Sequence, residues 1–169
     1  MSGTEAYRIA SDIKDYGNKA FKAGDIDLGV EKYQKAIRYI NEYAATRHDD
    51  DPKELRDQLQ SLRYTLLSNS ALLQNKQGNF RDAEESSTKA LAIEELTEVE
   101  KVKAYFNRGV ALQGLKDDTA ALEDLEKAYS LVPSDTAVLK QLEATRKKVA
   151  DSAAKQKARL KNFFGGPSN

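Results

Sequence analysis

Small residues recur at fixed offsets along this chain, and that spacing constrains the fold more than any other feature. Residues 103–133 read KAYFNRGVALQGLKDDTAALEDLEKAYSLVP. Gly109, Ala121 and Ala128 stand where two helices must bring their backbones together, with Tyr105, Leu112 and Leu125 as bulk around them. Pro133 stops the second helix, because proline cannot continue the hydrogen-bond ladder. The same layout occurs twice upstream. In one copy Ile13, Tyr16, Gly17 and Ala20 take the first-helix positions, and Gly29, Tyr33 and Ala36 the second-helix positions. In the other these become Leu67, Ser70, Ala71 and Gln74, then Ala83, Ser87 and Ala90. One such hairpin cannot bury its apolar face alone, whereas roughly three stacked hairpins can.

The offsets follow the tetratricopeptide pattern, W-x2-L-G-x2-Y, then A-x3-F, then P, over ~34 residues. Tyr105 takes the Trp position, Arg108 the Leu position and Leu112 the Tyr position, while Gly109 is kept. The expectation is an all-α protein: three helix-turn-helix repeats and a long C-terminal capping helix in a right-handed α-solenoid. The repeats are placed at about 10–43, 64–97 and 102–135, with an insertion at about 44–63. A disordered start covers 1–4, the capping helix 134–164, and a disordered tail 165–169.

In chain order, Ile9, Ile13, Tyr16, Ala20 and Phe21 fall at helical spacing and predict a first helix over about 5–23 with these residues inward. Its partner over about 27–43 carries Val30, Tyr33, Ile37 and Ile40 inward. Gly17 and Ala71, equivalent positions, lie 54 residues apart. That exceeds a ~34-residue period by about twenty, so a loop and a lengthened helix are inserted there. Pro52 suits the first helical position. Ser134 and Asp135 can cap the last helix, whose Val138, Leu139 and Leu142 should cover the open edge of the third repeat.

Composition removes several function classes. The formal net charge is zero, which points to neither nucleic acid nor a membrane surface. There is no cysteine, so disulfides, thiolate metal sites and thiol nucleophiles are excluded. No apolar run approaches the ~18 residues of a membrane span, and no signal peptide is visible. A soluble cytoplasmic protein is the expectation. The one histidine, His48, reads as a solvated loop residue beside Asp49, Asp50 and Asp51, a run without the ligand spacing of a calcium loop. No phosphate-binding loop, dinucleotide fingerprint or zinc-protease motif occurs. Neither a catalytic site nor a cofactor is expected.

The informative polar residues lie on the first helix of each repeat, where stacked hairpins present a concave face. Lys14 and Asn18 are four apart and share one helix face, as do Lys103 and Asn107; Asn69 sits on the equivalent helix between them. Converging on one groove, two ammonium groups and amide donors make a site for carboxylates, each charge-assisted hydrogen bond contributing ~1.5–3 kcal/mol. Phe21 is a candidate pocket for a ligand side chain, set against plain core packing.

Three stretches carry a more specific resemblance: IKDYGNKAFKAGD, SNSALLQNKQGNFRDAEESSTKAL and KAYFNRGVALQGLKDDTAALEDLEKAYSLVPSD. With the long insertion and the basic tail KARLKNFF, the chain resembles the tetratricopeptide domain of the large immunophilins, the forty-kilodalton cyclophilins above all and the FK506-binding immunophilins second. The resemblance implies a co-chaperone adaptor. It would hold the acidic C-terminal peptide, ending EEVD, of the ninety-kilodalton heat-shock chaperone, and in some members that of the seventy-kilodalton one. It maps a carboxylate clamp onto Lys14, Asn18, Asn69 and Lys103. The fifth clamp position, usually arginine, is Asn107 here; Arg108 is rotated by about 100° from it and cannot simply substitute. The family's isomerase domain has no counterpart in these residues. Lys155, Lys157, Arg159 and Lys161, with Leu160, Phe163 and Phe164, form a basic amphipathic end. Such a helix suits calmodulin-like grooves or anionic surfaces, and the resemblance implies calmodulin binding, against the plainer reading of a solvated extension. Two other readings stand beside the adaptor. One is a repeat scaffold for a different partner or for self-association, indifferent to a terminal carboxylate. The other, an enzyme, is disfavoured by the missing nucleophiles.

Overall fold

A computed structural model describes residues 1–46 and 51–164. His48, Asp49, Asp50 and the tail 165–169 lie outside the described residues. Seven α-helices and no strand occur among those described: α1 (Gly3–Lys22), α2 (Ile26–Ala44), α3 (Lys53–Gln77), α4 (Phe80–Leu91), α5 (Glu98–Gly114), α6 (Asp118–Leu131) and α7 (Thr136–Phe164). The architecture is all-α, as the spacing implies.

Several helices start or stop on local chemistry. Asp25 caps α2 by accepting from the Leu28 amide at 3.0 Å. Thr97 and Glu100 form a capping box at the head of α5. Gly78 closes α3 at φ +79, a left-handed conformation that glycine enters without a Cβ clash. Asp135 caps α7 by accepting from the amides of Ala137 and Val138 at 2.9 and 3.1 Å.

Residues 1–4 are a correction. The Ser2 hydroxyl accepts from the Glu5 amide at 3.2 Å, so α1 begins at Gly3, which is buried beside Tyr43 and Leu55. A capped, buried first turn replaces the expected disordered start. Pro52 stands one position earlier than expected: its ψ of 142° is extended, and it flanks α3 instead of opening it.

Each helix packs on the next in sequence, and the principal contacts that skip a helix join α1 to α3 and α3 to α5. Three hairpins therefore stack with α1, α3 and α5 side by side in one layer and α2, α4 and α6 behind. The close approach within the first hairpin depends on Gly17, where a Cβ would sit 2.7 Å from the Tyr33 ring. Tyr33, Ala36, Ile40 and Tyr43 of α2 are buried with Leu59, Leu62, Leu66 and Leu73 of α3, which joins the first hairpin to the second. Val138 and Leu142 are buried at the far end, where Val138 clusters with Val102 and Ala128 of the third hairpin.

Two aromatic side chains of α1 depart from expectation. Tyr16 is 63% exposed, with the Lys19 ammonium 5.4 Å from its ring centre, and Phe21 is at the exposed margin. The buried stripe of α1 runs instead through Ala6, Ala10, Gly17 and Ala20. Small residues there let α2 approach, which leaves no room for a ring on that stripe. From 150 to 164 every residue of α7 is exposed, so its last turns project beyond the hairpins. No helix among the described residues is long and apolar enough to cross a membrane.

Candidate functional site

The side-by-side packing of α1, α3 and α5 brings most of the predicted polar residues toward one face. Asn18 of α1 accepts a hydrogen bond from the Tyr33 hydroxyl at 2.8 Å. Burial pushes the Tyr33 phenol above its ordinary value of 10.0, and the polar Asn69 side chain nearby partly offsets that rise. One buried hydroxyl thus stands between Asn18 of the first hairpin and Asn69 of the second.

Asn69 also faces the other way. With Lys103 and Asn107 it lines a cavity of about 360 Å³ between α3 and α5. Leu72, Val102 and Phe106 give that cavity apolar walls, and Asp135 and Val138 at the head of α7 close one end. Lys103 is exposed at its rim.

The remaining predicted residues divide. Lys14 does not line the cavity; its Nζ lies 3.7 Å from Asp15 Oδ1, an adjacent and well exposed carboxylate. Phe21 does not line it either. Asn107 lines the cavity, but its amide is already engaged. It is buried, its Nδ2 donates to the Ser68 carbonyl at 3.3 Å, and its own carbonyl accepts from Asn75 Nδ2 at 2.8 Å. Its side chain latches α5 to α3 instead of presenting a loose amide to the groove. Arg108 is fully engaged elsewhere. Its guanidinium donates to both oxygens of buried Asp124, at 2.6 and 2.9 Å, and to Thr88 Oγ1 at 3.3 Å. The hydrogen bond to Asp124 is the main cause that raises its pKa above the ordinary arginine value. Lys155, Lys157, Arg159 and Lys161 are exposed on the projecting end of α7, away from the cavity.

Sequence reasoning treated Tyr33 only as core. The available signal was chemical: a buried tyrosine hydroxyl needs a partner, and Asn18 supplies it. The contribution of α7 to the cavity had no marker beyond the position of its cap.

Known proteins place this geometry. A family model described as tetratricopeptide repeat matches residues 102–135. The C-terminal TPR-containing domain of an FK506-binding protein from Plasmodium falciparum superposes with a TM-score of 0.78 at 26% identity, over 91% of this chain and 97% of that one. The chain is a tetratricopeptide-repeat domain. Among curated relatives, peptidyl-prolyl cis-trans isomerase D of Cryptococcus neoformans is 36% identical over 165 residues, 95% of this chain. The tetratricopeptide domain spans 44% of that relative's length. The first TPR of Spaghetti (RPAP3), solved bound to the HSP90 peptide SRMEEVD, superposes with a TM-score of 0.62 at 26% identity, over 83% of this chain and 95% of that one.

Proposed function

We propose that this tetratricopeptide domain is a co-chaperone adaptor that holds the acidic C-terminal EEVD peptide of the ninety-kilodalton heat-shock chaperone, with that of the seventy-kilodalton one as an additional ligand. The observation that carries this reading is the double role of Asn69. It lies near the Tyr33 hydroxyl that donates to Asn18 on one side and lines a cavity with Lys103 on the other. The two amides and the rim ammonium then span three hairpins along one groove. In this reading Lys14 leaves Asp15 and grips a carboxylate of the terminal aspartate with Lys103, while Asn18 and Asn69 supply neutral donors. An exposed pair such as Lys14–Asp15 contributes ~0–1 kcal/mol, less than a charge-assisted hydrogen bond to a bound carboxylate, so the exchange is favourable. The domain acts by binding, with no catalysis of its own. A prolyl-isomerisation assay on this chain should give the uncatalysed rate.

Calorimetric titration with a peptide ending MEEVD, beside its C-terminal amide, tests the clamp. Micromolar binding that amidation abolishes is the expected result; equal binding of acid and amide would sink it. One observation favours a second reading, a repeat scaffold for a different partner. Asn107 stands where the family's arginine would be, and its amide is held by the Ser68 carbonyl. Without that fifth charge the groove loses ~1.5–3 kcal/mol of charge-assisted bonding. Binding that ignores the terminal carboxylate would favour the scaffold.

The exposed end of α7 suits a separate contact of the calmodulin-target kind. Its support is the exposure of Leu160, Phe163 and Phe164 beside four cations. Calcium-dependent retention of the chain on immobilised calmodulin, lost on removing 150–164, checks it.

A further inference from the structure

Behind the groove a second cleft of about 440 Å³ opens between α2 and α4, with α3 as its floor. Ile37 and Arg38 of α2 and Arg63 and Leu67 of α3 line it, facing Asp82, Glu85 and Lys89 of α4. Arg63 is the anomaly. It is half-buried, its Nε is fully buried, and that N–H has no hydrogen-bond partner among the described residues. Neither Arg63 nor Arg38 forms an ion pair within the described residues. Arg63 also lines a neighbouring cavity of about 250 Å³ with Arg56, which likewise forms no ion pair among the described residues.

A buried donor without an acceptor is costly, and a guanidinium presents its N–H groups as a planar fork that matches an oxyanion. The α4 wall narrows the choice of oxyanion. Glu85 is already paired with Lys89 at 2.5 Å, which leaves Asp82 as the free carboxylate facing Arg38 and Arg63. Two free cations against one free anion leave the cleft room for a single negative charge. A carboxylate fits that balance, whereas a phosphate ester near two negative charges would be repelled by Asp82 and Glu85. Ile37 and Leu67 add an apolar floor for an aliphatic neighbour of the acidic residue.

We infer that the α2–α4 cleft is a second recognition site, for a glutamate or aspartate side chain on an acidic segment of a partner protein, with Arg63 as anchor and Arg38 as outer clamp. The site is independent of the clamp on the other face. It needs no terminal carboxylate, so one protein can occupy the groove while another docks behind it.

The probe is the capped pentapeptide acetyl-Leu-Glu-Leu-Glu-Leu-amide, titrated into the full chain while arginine Nε–Hε resonances are followed by NMR. The Arg63 resonance, assigned by its loss in Arg63→Lys, should shift saturably. Arg63→Gln should abolish binding, Arg38→Gln should weaken it about tenfold, the loss of one charge-assisted bond, and Lys14→Ala should leave it unchanged. Arg38 is exposed, so Arg38→Gln should keep the wild-type melting curve and reads binding without a folding artefact. No saturable shift, or undiminished binding by Arg63→Gln, would overturn the inference. Loss of binding in Lys14→Ala would move the peptide to the groove and overturn it equally. Tighter binding of the same peptide with phosphoserine for glutamate would overturn the carboxylate assignment.

Discussion

A phenylalanine at position 33 would keep the ring that fills the space beside Gly17 and lose only the hydroxyl that donates to Asn18. Tyr33→Phe should therefore cost about 1 kcal/mol of stability, one net hydrogen bond, read in denaturant unfolding. It should also weaken a MEEVD peptide several-fold in calorimetry, because Asn18 loses the donor that holds its amide. Gly17→Ala should cost more, about 1–3 kcal/mol, since the ring must move to admit a methyl group. Asn107→Arg should act in opposite directions on two readouts. Peptide affinity should rise about tenfold as a charged donor enters the groove, while the melting temperature falls as the Ser68 carbonyl loses its donor. A rise in both, or a fall in both, would show that position 107 does not trade stability for charge. The tyrosines also set an alkaline limit. Burial raises the phenols of Tyr33 and Tyr64 above 10.0. A raised folded pKa means that the associated stability is complete below pH 10 and is lost as pH climbs through the folded values. Alkaline unfolding should begin above pH 10, and Tyr64→Phe should delay it in a tyrosinate absorbance titration. At this scale the sequence was only partly readable. The repeat offsets gave Gly17 and Ala20 of the α1 stripe, but periodicity put Tyr16 and Phe21 on it as well, and both are exposed because a residue one position from Gly17 or Ala20 is rotated by about 100°. Nothing in the sequence marks the carbonyl of Ser68 as the partner of Asn107, 39 positions away.

Elements were more legible, because their ends rest on side chains a few positions apart. The capping box of Thr97 and Glu100 and the cap at Asp135 are local pairings of the kind a sequence displays. The start of α1 was missed because Ser2 reads equally well as a cap or as a polar leader. What settles it is burial of Gly3 against Tyr43 and Leu55, a tertiary contact. Between elements, the Arg108–Asp124 pair joins α5 to α6, and Thr88 of α4 extends it to the second hairpin. Asp124 is 3% exposed, so removing its partner leaves a buried carboxylate without its main donor. Arg108→Met should destabilise the chain by about 3–5 kcal/mol in denaturant unfolding, whereas the double change Arg108→Met with Asp124→Leu should recover most of the loss. Failure of the double variant to recover would mean that the pair, and not merely its completeness, holds α5 on α6.

For the whole molecule the repeat spacing was the readable part: small residues where backbones meet, and a surplus of length between Gly17 and Ala71 that asks for a loop and a lengthened helix, of which α3 with its 25 residues is the long helix. The groove was legible as far as side-by-side first helices and polar positions could take it. The cavity was not, since α7 closes it with residues that the repeats do not contain. Removing 150–164 should leave the melting temperature unchanged, because no residue there is buried. Removing all of α7 should instead expose Val102 and Ala128 and lower stability by several kcal/mol, about 1.5–3 for each large side chain uncovered. The projecting half of α7 has a geometric consequence. Its fifteen exposed residues, at 1.5 Å of rise each, make a stiff boom of about 22 Å. A body caught at its tip is held roughly one small-domain radius away from the hairpins, clear of both the groove and the cleft behind it. The domain can then work as a jig, setting the distance between the things it joins as well as choosing them.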